Sequence, residues 1–124
     1  MPVVRSSDAI VHEMHGSRFT AFANPSTGSG ELCAWRVDVP ANTRGTAHTI
    51  TREEVFLVTE GELQLTIDDQ SEALSEGDVA IAPARSTLRL DNLSDAPAAA
   101  WVTTSVGLAG VLPDGSVISP PWAG

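Results

Sequence analysis

The stretch "GTAHTITREEVFLVTEGEL", residues 45 to 63, decides how the chain is read. It holds one histidine, two adjacent glutamates and a glycine turn. A histidine with a second one two residues on would supply a pair of metal ligands. Here the residue two after His48 is Ile50. Phe56 follows Glu54 by two, so a regular strand puts both on one face, with Glu53 turned to solvent. "TEGE" then closes the strand with a turn at Gly61, where a β-carbon would be strained.

Outward from this stretch, alternation dominates. "ELCAWRVDVP" places Cys33, Trp35, Val37 and Val39 on one face, and Arg36 and Asp38 on the other. "ELQLTIDD" alternates Leu63, Leu65 and Ile67 with polar residues, and "STLRLDN" does the same with Leu88 and Leu90. A period of two marks strands with one buried face. Turn clusters such as "NPSTGSGE", "PANTRG", "SEGD" and "DNLSDAP" separate them. The pattern predicts an all-β chain of about eight to ten short strands, a sandwich or barrel. No strong helix is visible; "SDAIVHEM", residues 7 to 14, reads as one helical turn or a short edge strand. In the tail "PDGSVISPPWAG", Pro120 and Pro121 favour an extended path that ends on Trp122. That indole is expected to anchor on its own domain or on a partner subunit.

A chain of 124 residues that is 42% hydrophobic fits one domain with a real core. We assign residues 1–124 to it, with a barrel at about 30–106 and extended arms on both sides. The net charge is −9, and the seven basic residues are all arginines, scattered along the chain. Nucleic acid and anionic membranes need clustered basic side chains, so neither is expected as a partner. The longest apolar runs are too short for a membrane-spanning helix or the core of a secretory signal. With a single cysteine, Cys33, no internal disulfide can form. A cytoplasmic location is the expectation.

Two spaced motifs narrow the fold. The first comprises Gly45, His48, Ile50, Glu54 and Gly61; the second, "GDVAIAPARSTLRLDN", comprises Gly77, Pro83, Arg85, Leu88 and Asn92. In spacing, and in the glycines, the proline and the asparagine, these resemble the two motifs of the cupin superfamily. The resemblance implies a small double-stranded β-helix, or jelly-roll, barrel with an interior cavity. It also implies a homodimer that packs one sheet against its twin. Metal-binding members use three histidines and a glutamate. Here two of the histidine positions are Ile50 and Leu88, and Arg85 stands where glycine is usual.

His48 and Glu54 are the candidate catalytic pair, both pointing into the barrel if the motif geometry holds. An imidazole beside a carboxyl group can form a hydrogen-bonded pair suited to general acid–base work. The same pair can also be inert, each group satisfying the other. Two ligands fall short of a catalytic zinc site or a non-haem iron triad, so no cofactor is expected. If a metal were held, His48 and Glu54 would hold it; His12, His15, Cys33 and Asp91 are further candidates on paper. Parity nominates Trp35, Ile50, Phe56, Leu88, Leu90 and Trp101 as the ligand-binding wall, around a moderately apolar small organic molecule. Three functions stay open: a metal-independent isomerase, epimerase, dehydratase or cyclase; a non-catalytic ligand-binding cupin; and a metal-dependent cupin with an abbreviated site. Neither a nucleophile elbow nor a phosphate-binding loop is present in the sequence.

Overall fold

The computed structural model describes residues 2–124. Alternating segments become strands wherever one face can be buried. They are β1 (Ile10–Met14), β2 (Ser17–Ala23), β3 (Leu32–Val39), β4 (His48–Ile50), β5 (Glu54–Glu60) and β6 (Leu63–Ile67). The second half adds β7 (Gln70–Leu74), β8 (Val79–Ala82), β9 (Thr87–Asp91), β10 (Ala98–Ser105), β11 (Gly110–Val111) and β12 (Val117–Ile118). They form two antiparallel six-stranded sheets, ordered β1-β2-β3-β10-β5-β8 and β12-β11-β4-β9-β6-β7. This is the all-β, two-sheet jelly roll that the motifs implied.

Twelve strands are present among the described residues, more than alternation suggested. The excess lies at the ends. β11 and β12 have two residues each, too few to show a period. The N-terminal arm is a hairpin, β1 on β2, that extends the first sheet through β3. The segment 7–14 therefore combines a 3-10 turn at Ser6–Asp8 with an edge strand. Both arms are thus built into the barrel wall. No helix among the described residues is long and apolar enough to cross a membrane.

The motif positions act on the backbone. Gly61 has φ +69°, and a β-carbon there would stand 2.6 Å from the Pro97 carbonyl oxygen. A β-carbon on Gly45 would collide with the Leu90 carbonyl oxygen. Arg85 has φ +71°, which explains why glycine suits that position and arginine is strained in it. Asn92 is fully buried. Its side-chain amide donates to the Val39 and Ala96 carbonyls at 3.1 and 2.8 Å. Its carbonyl oxygen accepts from the Ser94 amide and hydroxyl at 3.0 and 2.7 Å. One side chain therefore ties the end of β3 to the loop before β10.

Leu63, Leu65, Val39 and Val58 fill one part of the space between the sheets. The remaining part is a cavity. Truncating Asn92 would leave buried carbonyls without donors. Asn92→Ala is expected to cost about 2–4 kcal/mol. Urea unfolding should show a lower midpoint at an unchanged slope.

Candidate functional site

The cavity has a volume of about 130 Å³. Glu54 and Phe56 reach it from β5, Trp35 and Val37 from β3, and His48 and Ile50 from β4. Leu88 and Leu90 complete the facing wall from β9, with Leu88 directly opposite His48 in the register. Seven of the eight residues nominated from the sequence therefore meet in one space.

Trp101 is the exception. β10 puts Val102 into the cavity, so its neighbour Trp101 lies on the outer face of the sheet. There its ring packs on Phe22, with centroids 5.4 Å apart. The run "AAAWVTT" leaves the parity open, and the pairing of Val102 with Trp35 and Phe56 settles it.

Glu54 is only 4% exposed, and its Oε2 has no hydrogen-bond partner. The reason is local. Its cross-strand neighbours are Thr104 on β10 and Ala82 on β8. Ala82 offers nothing, and the Thr104 hydroxyl donates to the Glu53 carbonyl at 2.6 Å. With no donor to stabilise the charged form, burial pushes the Glu54 carboxyl up to about 8. It is mostly protonated at neutral pH.

His48 does not pair with it. Among the described residues no hydrogen bond or ion pair links the two; the His48 Nδ1–H donates to the Thr46 carbonyl at 3.0 Å. The two side chains stand on opposite sheets, and facing sheets lie roughly 10 Å apart. The expected hydrogen-bonded pair is therefore absent, and the two side chains reach the cavity from different sheets. With Nδ1 committed as a donor, a neutral ring keeps its lone pair on Nε2.

The donor set does not fit the metal ion that most cupin sites imply. Ile50 and Leu88 present apolar groups to the cavity where further ligands would be needed. Among the described residues no three His, Cys, Asp or Glu side chains cluster in a way that would hold a metal ion. The other candidates are engaged elsewhere. Asp91 accepts from the Gly45 amide at 2.8 Å and from Arg89 Nε at 2.9 Å. The Cys33 thiol faces the Ala123 carbonyl. His12 lies beside Trp122, and His15 sits at the rim, in the β1–β2 turn.

Sequence reasoning missed one whole side of the cavity. Phe19 on β2 stacks on Trp122 with ring centroids 3.8 Å apart and planes 6° from parallel. Trp35 meets the same indole edge-on at 6.4 Å. Trp122 is thus folded onto its own barrel, held by Asn24 Nδ2, which donates to its carbonyl at 3.1 Å. The alternation in "SRFTAFA" was a usable signal for Phe19; none in the sequence brings residue 122 to residue 19.

A cupin domain model matches residues 35–105, more than half the chain, and the chain belongs to that family. Among solved structures it resembles the polyketide cyclase RemF from Streptomyces resistomycificus. The TM-score is 0.75 at 15% identity, over 85% of this chain and 79% of that one. An RmlC-like cupin from Shewanella frigidimarina gives 0.71 at 17% identity, over 83% and 88%. A salicylate 1,2-dioxygenase from Pseudaminobacter salicylatoxidans gives 0.70 at 16% identity, over 82% of this chain but 31% of that one. At such identities these similarities establish the fold alone. No curated protein matches the chain by sequence.

The Glu54 shift has a consequence for stability. A carboxyl raised from 4.5 to about 8 favours folding most below pH 4.5, and that contribution is lost as pH rises through about 8. In that window the wild-type protein is expected to lose stability relative to Glu54→Gln, at up to about 1.4 kcal/mol per pH unit. Urea unfolding of both proteins between about pH 5 and 9 tests this; parallel curves would disprove the raised value.

Proposed function

We propose that this protein is a metal-independent acid–base enzyme acting on an uncharged, moderately apolar organic metabolite. The observation that carries this reading is the buried, unpartnered Glu54 carboxyl lining the same apolar cavity as His48. A proton donor and a proton acceptor lining one cavity suit a carbonyl compound held there. The protonated Glu54 donates its hydrogen to the carbonyl oxygen while His48 Nε2 removes a proton from the adjacent carbon. The C–H electron pair becomes the new C=C bond and the former C=O π pair takes the Glu54 proton, giving an enol. Return of a proton to the opposite face of the same carbon, with the O–H proton going back to Glu54, completes an epimerisation. Attack of the enol on a second carbonyl of the same molecule completes a cyclisation. Likeness in fold to a polyketide cyclase is compatible with the second outcome.

The test is deuterium exchange at the α-carbons of acetophenone and cyclohexanone in D2O, followed by NMR. Wild-type protein should exceed the buffer rate. His48→Ala should abolish the excess, and Glu54→Gln should lower it about 100-fold. Unchanged exchange in Glu54→Gln would rule out its role as the acid. Binding without exchange would favour the non-catalytic cupin. Exchange lost on chelation and restored by a divalent metal would favour the metal-dependent one.

The same reading includes a two-fold dimer. On the outer face of the first sheet, Trp101, Leu57 and Val79 form one cross-strand row and Thr103, Val55 and Ile81 the next. Leu57, Val79 and Ile81 are 37%, 54% and 58% exposed. These six residues carry no charge, and Arg36, which continues the first row on β3, is paired with Asp38 and Glu60, so in a chain of net charge −9 this face can meet a second copy of itself without strong repulsion. Light scattering should give twice the chain mass, and Leu57→Asp with Ile81→Asp should give the monomer. A monomeric wild type would overturn the dimer.

A further inference from the structure

The charge, size and aromatic wall of the cavity narrow its ligand beyond the acid–base reading on which this inference rests. Among the described residues no arginine lines the space. A carboxylate or phosphate entering it would leave water without a counter-charge. Among the described residues the only ionisable side chains on its surface are Glu54, His48 and, at the rim, His15. Glu54 Oε2 is buried and has no hydrogen-bond partner in the protein. A buried polar atom without a partner is rare, and a ligand atom would satisfy it.

Size sets the second limit. An apolar cavity of about 150 Å³ takes a benzene ring. The present one, at about 130 Å³, is slightly smaller, so a single ring is the largest group it holds. Shape sets the third. The Phe19–Trp122 stack with Trp35 edge-on forms a rigid aromatic wall, against which another flat ring packs favourably. Trp122 comes from the tail beyond β12, and its indole bounds the space.

We propose that the cavity binds an uncharged, single-ring aromatic ketone, its carbonyl oxygen on the Glu54 carboxyl and its ring beside the Trp122–Phe19 wall, with Trp122 as the residue that sets the upper size limit. Anions of the same shape are rejected for want of a counter-charge. Two-ring ketones are rejected because the indole occupies the space they need.

Ligand-observed NMR titrations of the full chain at about pH 7.5, above the ordinary histidine range, test this, with four probes: acetophenone, toluene, benzoate and 2-acetonaphthone. Acetophenone should saturate. Toluene, which lacks the acceptor, should bind about tenfold more weakly, and benzoate at least about 100-fold more weakly. The two-ring ketone should bind at least about tenfold more weakly than acetophenone to the wild type and regain that loss in Trp122→Ala. Trp122→Phe, which keeps a ring on Phe19, should still bind acetophenone, so loss of fold in the alanine variant would not hide the result. Glu54→Leu should bring acetophenone down to the level of toluene, whereas Glu54→Gln, still a donor, should not.

Benzoate binding as tightly as acetophenone would overturn the proposal. So would 2-acetonaphthone binding to the wild type as tightly as acetophenone does. The two readings fail separately. Selective acetophenone binding without α-proton exchange would sink the acid–base mechanism and keep the ligand class. Exchange with no preference among the probes would do the reverse.

Discussion

A carboxyl group buried without a hydrogen-bond partner is held there only by the rest of the fold, and Glu54 is in that position. β5 lies between β10 and β8, so the side chain cannot turn outward without moving the strand to the wrong face. Its neighbours cannot help it, because Thr104 has spent its hydroxyl proton on Glu53 and Ala82 has none to give. Staying protonated is the least costly response. The chemistry of the cavity follows from that constraint: a neutral acid on one sheet, an imidazole on the other, and apolar walls around both.

The apolar residues at the histidine positions belong to the same design. Ile50 is 1% exposed and Leu88 is 2% exposed, each on the sheet opposite Glu54. A second imidazole in either place would give Glu54 a donor or a shared ion and would lower its pKa. With Ile50 and Leu88 there, the carboxyl meets hydrocarbon and is left free for a ligand. The net charge of −9 works in the same direction, since no part of the cavity surface attracts an anion inward.

The tail adds what the two sheets cannot close by themselves. β11 and β12 are short, and the segment beyond them is fastened through a few polar contacts. Asn24 holds the Trp122 carbonyl, and the Ser26 hydroxyl donates to the Gly124 carbonyl at 2.8 Å. Most of its burial comes from one indole lying flat on Phe19. The size of the cavity thus depends on a residue far from the motifs that define the fold.

Sequence alone determined the strand character of the chain, the two motifs and one part of the cavity wall. Strict alternation fixes which side chains share a face, and Gly45, Gly61, Pro83 and Asn92 serve backbone needs that few other residues meet. Seven of the eight nominated site residues were legible for that reason. Only the tertiary structure decided the rest. The turn from Ile50 to Glu54 changes sheets, so His48 and Glu54 reach the cavity from different sheets and share no hydrogen bond. The partner strands of β10 fixed the direction of Trp101. Trp122 reaches Phe19 by folding of the tail, a contact between distant positions that no local pattern encodes.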